Sequence, residues 1–395
     1  MKKYNVAVIG VGAVGIEMLR VLRQRDFPIQ ELRVFARSAR DIEVDGQKYS
    51  VKAISPENFA GIDIALFAGT EGEKGAAVTY ASEAVKRGAV VIDNGADFRM
   101  DPGVPLVVPE VNAKDVNPVR NWFLLKKHWP EGRGLPSDKQ SHWPEGRGLA
   151  SFSQSHKGII ANPNCSTIQM VVALWPIYKK AGIKRVVVTT LQAASGAGRG
   201  AVEQLREESV SLLSSWPVIR LNRQTGKPEG SGLPSDRQSH KRVNGQTFLP
   251  QQLSFNVFPH IGTFGEYDYT NEEWKLVQET HKIMHDNKIK ISATTVRVPV
   301  RTGHSESVYI ETEKPIEPEK LRSILSKAPG IVVIDDPKNN LYPQPLDIEG
   351  KDEVFVGRIR KDPFIKNGLW LWVVADNLRK GAATNAVQIA EVLIR

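Results

Sequence analysis

Among 395 residues there is one cysteine, Cys165. That scarcity excludes a disulfide within the chain and any cysteine-rich metal site. Histidine offers no metal site either. Four of the eight, His128, His142, His156 and His240, sit in or beside repeated segments whose spacing has no ligand geometry. Long apolar runs are also missing. Stretches such as Val6–Ile9 and Val186–Val188 are far too short to cross a bilayer, so no membrane association is expected. The Lys2-Lys3 start followed by apolar residues superficially resembles a secretory leader, but Gly10, Gly12, Gly15, Glu17 and Arg20 interrupt it, so none is expected. The expected location is cytoplasmic. A net charge of +9 is scattered rather than gathered into basic arms, so nucleic acid is not an expected partner. What remains is 41% apolar and 25% charged, the balance of a soluble globular protein long enough for two domains.

One segment repeats. Residues His128–Ser141 are followed directly by a near copy, His142–Ser155, and Lys227–His240 matches Trp129–His142 at 11 of 14 positions. The copies are rich in Gly, Pro, Ser and charge and have neither helical nor strand period, so exposed loops or disorder are expected there. We treat Asn117–His156 and Trp216–Gly245 as two insertions in an otherwise regular chain.

Outside them, the first part alternates strand and helix. Tyr4–Ile9, Glu31–Ala36, Ile64–Phe67 and Ala89–Ile92 read as short buried strands, and Ala13–Arg25 and Glu73–Lys86 as helices. Such alternation implies a parallel sheet covered by helices on both faces, a Rossmann-type α/β domain. After Cys165 the texture changes. Ser166–Lys180 reads as a helix, and Lys184–Leu191, Gln251–Val257, Ile289–Pro299 and Ser307–Thr312 as strands with longer connections. That suits an α+β second domain with a mixed or antiparallel sheet. The expected division is residues 1–160, completed by the C-terminal segment 372–395 with its helix at Arg379–Ile394, and a second domain over 161–371.

Gly10-Val11-Gly12-Ala13-Val14-Gly15 is a GxGxxG motif placed directly after a strand and at a helix start. There the glycines allow a tight turn and close approach of a pyrophosphate, which the helix N-terminus stabilises. The second strand ends in Arg37-Ser38, where an NAD enzyme places a carboxylate for the ribose hydroxyls. A guanidinium and a hydroxyl suit a 2′-phosphate instead, which favours NADP. The alternative is that Arg37 is simply a solvated loop residue, since Arg33 and Arg40 are nearby.

Asn162–Thr167 places the single cysteine where a loop gives way to a helix. The dipole and free N–H groups there favour a thiolate and could hold an oxyanion. Further on, Arg297 is strand-borne and His304 follows a glycine. Cysteine, histidine and a dinucleotide fold together suggest thiol-based aldehyde oxidation. Taken alone, His304 reads equally well as a structural histidine bonded to the loop backbone.

With these residues in view, the chain resembles the aspartate-semialdehyde dehydrogenase family. The resemblance rests on Asn162–Thr167, Gln192 to Gly198, Arg297 to His304, Tyr342 to Leu346 and Val374 to Gly381, in that order. It covers nearly everything outside the two insertions. It implies reductive dephosphorylation of L-aspartyl 4-phosphate with NADPH, through a thioester, in lysine, threonine and methionine synthesis. Cys165 would be the nucleophile and His304 the acid/base. Gln192 would position the substrate, Arg297 would clamp its α-carboxylate, and Glu272 would orient its amine. Arg99 and Lys275 match phosphate-binding positions. Ser195, Gly196 and Asn377 match residues lining the nicotinamide, beside the phosphate-loop contacts Gly10, Gly12, Ala13, Val14 and Gly15. A homodimer or homotetramer is implied. Four departures stand out: the phosphate loop is one residue shorter than usual, an acidic Asp97 lies beside Arg99, one insertion ends near His156 just ahead of the nucleophile loop, and Trp216–Gly245 falls between the Gln192 and Lys275 segments. The rival readings are another acyl-phosphate reductase, such as N-acetyl-glutamyl-phosphate reductase, and a non-catalytic dinucleotide-binding relative.

Overall fold

The computed structural model describes residues 2–69, 75–127, 158–215, 220–221, 228–229 and 249–395. The repeated segments thus lie almost wholly outside the described residues; within 216–245 only Arg220–Leu221 and Pro228–Glu229 are described, as a short antiparallel pair.

The N-terminal sheet is built from β1 (Tyr4–Ile9), β2 (Ile29–Ala36), β3 (Arg40–Val44), β4 (Gln47–Ala53), β5 (Ile64–Phe67), β6 (Val90–Asp93) and β7 (Ile159–Ala161), in the order β3-β4-β2-β1-β5-β6-β7. Every pairing is parallel except β3 with β4. Central strands buried on both faces read as continuous apolar runs, which is why β1, β5 and β6 are legible. The β3–β4 hairpin, turning at Asp45-Gly46, was not anticipated; its charged, half-exposed strands carry a weak apolar signal.

Helix α1 (Ala13–Gln24) packs on one face of this sheet, and α2 (Ala76–Lys86) on the other through Ala77, Ala81 and Ala84. Helix α3 (Asn117–Lys127) corrects the first insertion boundary. Val119 and Phe123 are buried in the same core as β1 and α1, so this stretch belongs to the fold.

Helix α4 (Cys165–Ala181) is buried nearly all round, as a helix between two sheets must be. The second sheet contains β8 (Ile183–Gln192), β9 (Lys290–Arg297), β10 (His304–Thr312), β11 (Ile331–Val333), β12 (Val354–Lys361) and β13 (Gly368–Ala375), ordered β9-β8-β10-β13-β12-β11. It is mixed: β8 with β9 and β11 with β12 are parallel, the rest antiparallel. Its other helices are α5 (Arg199–Ser215), which the sequence reading missed, α6 (Asn271–Met284) and α7 (Pro318–Leu325).

The expected strand at Gln251–Val257 is a turn instead. Phe255 has φ +56°, and the Leu253 and Ser254 N–H groups donate to Glu208 of α5 at 2.8 and 2.9 Å, so a side chain replaces a strand partner. The chain ends in α8 (Thr384–Ile394), whose Ala386, Val387, Ile389, Ala390 and Leu393 pack into the first core. The helix expected over Arg379–Ile394 is present, its first turn, Arg379–Ala383, being a π-turn; within 372–395 only Trp372–Ala375, which close β13 opposite β10, and the short link after them lie outside it. Among the described residues no helix is long and apolar enough to cross a membrane.

Candidate active site

Strand register assembles the site. Gln192 and Arg297 end the parallel strands β8 and β9 and are paired in register. His304 opens the antiparallel β10, one position beyond the Ser305–Leu191 pair and opposite Ala375. Asn377 lies two residues beyond the end of β13. Residues 105 positions apart in sequence are thereby neighbours at one sheet edge, facing the N-terminus of α4.

A cavity of about 210 Å³ lies there, between the two sheets. Val14, Arg99, Cys165, Gln192, Ser195, Gly196, Glu272, Lys275, Arg297 and Asn377 all line it. His304 does not; it is wholly buried behind Gly196. A side chain on Gly196 would put its Cβ 2.9 Å from His304 Cε1 and 3.0 Å from Arg297 Nη1, so only glycine fits. Ser195 Oγ donates to Asn377 Oδ1 at 3.0 Å, joining two parts of the cavity wall.

Cys165 is the first residue of α4, as expected, but its electrostatics are not as expected. Asn164 caps the helix through its own side chain, accepting from the Ser166 and Thr167 N–H groups at 3.0 and 3.2 Å. Those N–H groups are thus already engaged rather than open to an oxyanion. Burial, and next the Glu272 carboxylate, push the thiol up to about 12, against the opposing pull of Arg99, the Ser166 N–H and Arg297. The helix end does not by itself make a thiolate here. Alkylation of the ligand-free protein by iodoacetamide should therefore rise about tenfold per pH unit through the alkaline range, with no plateau near neutrality. Glu272→Gln should shift that rise to lower pH. A plateau near pH 7 in the unaltered protein would show that the helix N-terminus dominates after all.

Glu272 itself is buried, which works to raise its carboxyl, but Lys275, Asn164 and Gln192 outweigh the burial and hold it below its ordinary value. It accepts from Asn164 Nδ2 at 2.8 Å, Gln192 Nε2 at 3.2 Å and Lys275 Nζ at 3.3 Å. Arg297 donates through Nη1 to the Ala193 carbonyl at 2.7 Å. Burial lowers its guanidinium, and Glu272 partly restores it. A fully buried imidazole beside that guanidinium is pushed down to about 3 at His304. The ring is neutral.

Sequence reasoning missed Glu279. It is buried, pairs with Arg99 Nη1 at 3.0 Å and accepts the Asn164 backbone N–H at 2.6 Å. One carboxylate thus ties Arg99 to the cysteine loop. Lys282, one turn on, donates to the carbonyls of Arg99, Asp101 and Val104 at 2.6, 2.8 and 2.7 Å. Glu272, Lys275, Glu279 and Lys282 recur at three- and four-residue steps, one charged stripe along α6, and that spacing was the available signal. The acidic Asp97 is exposed, and the buried acid beside Arg99 is Glu279.

At the nucleotide end the motif glycines have distinct tasks. A Cβ on Gly15 would stand 1.9 Å from the Gly10 carbonyl oxygen, so α1 can approach β1 only with glycine there. A Cβ on Gly12 would meet nothing within 4 Å, and no side chain caps α1. That open, uncapped helix start fits a pyrophosphate. Arg37 and Ser38 are exposed just beyond β2, and Arg40 donates to Ser38 Oγ at 3.3 Å.

A dinucleotide-binding sheet joined to a mixed sheet, with a cysteine at a helix start between them, defines a two-domain dehydrogenase. Two family models match the chain: the semialdehyde dehydrogenase NAD binding domain over residues 5–118 and the semialdehyde dehydrogenase dimerisation domain over 174–380. The aspartate-semialdehyde dehydrogenase of Aquifex aeolicus is 49% identical over 398 residues, covering 99% of this chain and 98% of that protein. That of Bacillus subtilis is 43% identical, with 98% and 97% covered. A solved structure of aspartate semialdehyde dehydrogenase II from Vibrio cholerae, complexed with ASA, superposes with a TM-score of 0.80 at 38% identity, covering 100% of this chain and 99% of that one. The chain belongs to the aspartate-semialdehyde dehydrogenase family. Its cofactor is a nicotinamide dinucleotide, and it carries the family's dimerisation domain.

Proposed function

We propose that this chain is an NADP-dependent aspartate-semialdehyde dehydrogenase that interconverts L-aspartyl 4-phosphate and L-aspartate 4-semialdehyde through a thioester on Cys165, in the cytoplasm, as a step of amino-acid biosynthesis. The observation that carries the reading is the convergence of Cys165, Gln192, Glu272, Lys275, Arg99 and Arg297 on one cavity, in a chain so similar to enzymes of that name. When bound, the nicotinamide donates or accepts the hydride.

The chain's own residues supply the rest. Cys165 Sγ bonds to the carbonyl carbon and holds the acyl group. Arg297, at the end of β9, is a guanidinium suited to the α-carboxylate. Glu272, held ionised by its neighbours, receives the α-ammonium. Arg99 and Lys275 attract phosphate, which releases the acyl group from sulfur in the oxidative direction. His304 is the group offered to the carbonyl oxygen. Gly10, Gly12, Ala13, Val14 and Gly15 would hold the pyrophosphate, and Ser195, Gly196 and Asn377 would line the nicotinamide. Arg37 and Ser38, with Arg40 alongside, would take the 2′-phosphate. We read residues up to about 160 with α8 as the dinucleotide-binding unit, the intervening part as the catalytic unit, and the working form as a homodimer or a pair of dimers.

The test is absorbance at 340 nm with aspartate semialdehyde, phosphate and either NADP⁺ or NAD⁺. Phosphate-dependent reduction, faster with NADP⁺, is expected. A folded protein that binds dinucleotide and reduces none would overturn the assignment.

A further inference from the structure

Between β13 and α8 the chain makes the π-turn Arg379–Ala383. In it the Gly381 and Ala383 N–H groups donate to the carbonyls of Asp376 and Leu378, each at 3.0 Å. A π-turn is wider than an α-helical one, and such turns are frequent at functional sites. Here the wider turn brings its backbone against the nucleophile. A Cβ on Gly381 would stand 2.9 Å from Cys165 Cβ and 3.3 Å from its Cα. Gly381 and Ala382 both line the substrate cavity.

Two buried cations hold the turn. Lys380 is wholly buried, and its Nζ donates to Glu110 at 2.7 Å, Asn385 at 3.1 Å and Gln388 at 2.6 Å. The three protons of the ammonium thus meet three acceptors. Arg379 donates to Asp352 at 2.8 Å, Glu17 at 3.2 Å and Gln24 at 2.7 Å, which fixes the turn to α1. Asn385 carries the hold onward to the cysteine loop. Its Nδ2 donates to the Val107 carbonyl at 2.9 Å and to Asn162 Oδ1 at 2.7 Å. Asn162, three residues before Cys165, donates in turn to Asn94 Oδ1 at 2.8 Å. We infer that this π-turn is the wall that sets the position of Cys165, with Lys380 and Asn385 as the positioning residues that keep the turn and the cysteine loop in register. The nucleophile is gripped twice, through Asn162 at its loop and through Gly381 at its side chain. Sγ must approach the carbonyl carbon along one line, and a misplacement of about 1 Å costs about 10²-fold in rate. That consequence rests on the proposed reaction; the placement of the thiol does not.

Two variants of the full chain test the inference, each first shown to be folded by circular dichroism. Gly381→Ala should lower kcat about 10²-fold with KM for aspartate semialdehyde and NADP⁺ within about threefold, because the methyl group displaces Cys165 and not the charged partners of the substrate. Lys380→Met combined with Glu110→Gln removes both buried charges together, so neither is left unpaired and the fold is kept. With the turn loosened, iodoacetamide should alkylate Cys165 of the ligand-free double variant about tenfold faster at fixed alkaline pH. Cys165 is the only cysteine, so the rate reports on it alone. Folded variants that melt at lower temperature, yet turn over and alkylate within about twofold of the parent, would show the turn to be structural only and overturn the inference. A parent that oxidises no aspartate semialdehyde overturns the proposed function instead, and the alkylation rates still decide what holds the thiol.

Discussion

Cys165→Ser is expected to lower kcat for phosphate-dependent aldehyde oxidation by about 10⁴-fold or more while dinucleotide still binds, because only the thiol can form the acyl intermediate. Serine is nearly isosteric, and the side chain lies at a cavity wall rather than inside the close-packed core. Folding should therefore be unaffected. The hydroxyl, however, has no base beside it. His304 lies behind Gly196 with Nδ1 committed to Ala193, and Glu272 is ionised but already bonded to three neighbours. Absorbance at 340 nm gives the rate, and quenching of intrinsic fluorescence by NADP⁺ checks the cofactor site. A serine variant within about 100-fold of the parent would remove Cys165 from the chemistry.

Arg297→Leu is expected to reduce kcat/KM for aspartate semialdehyde by about 10³-fold, from loss of a charge-assisted, two-pronged hold on the α-carboxylate. The substitution also acts on its neighbours. It removes a positive charge that pulls the Cys165 thiol down and repels a protonated His304. The thiol should then ionise at still higher pH, and iodoacetamide alkylation should slow at fixed alkaline pH. The Ala193 carbonyl loses its 2.7 Å donor as well, so the turn carrying Ser195 and Gly196 should loosen. Steady-state kinetics with the two substrates varied in turn checks the assignment. If only the NADP⁺ KM moved, Arg297 would serve the cofactor and the carboxylate would be held elsewhere.

The elevated Cys165 thiol and the lowered His304 imidazole both trace first to burial. Taking Cys165, Glu272, Arg297 and His304 out of water penalises each charged state, and only Glu272 keeps enough partners to overcome it. In the proposed reaction, a substrate ammonium at Glu272 would offset the carboxylate that raises the Cys165 thiol, so binding there would favour the nucleophile.

The sequence by itself determined the N-terminal sheet, because parallel strands buried on both faces must be apolar throughout, and β1, β5 and β6 are. It determined the nucleotide end for a similar reason: close approach of α1 to β1 admits only glycine at Gly15, and that constraint is visible in any listing of residues. It also carried Cys165, Gln192, Arg297 and His304, through motifs whose order the fold preserves. It did not determine the turn at Gln251–Val257, where Glu208 from a distant helix takes the place of a strand partner. Nor did it reveal that Val119 and Phe123 belong to the core, or that Glu279 joins Arg99 to Asn164. Above all it could not assign the protonation states. A helix start argued for a thiolate at Cys165, whereas burial and Glu272 raise the thiol. That outcome depends on which dipoles and charges lie within a few ångströms. Those distances run between residues far apart in the chain, so only the packing of α4 against the second sheet decides them.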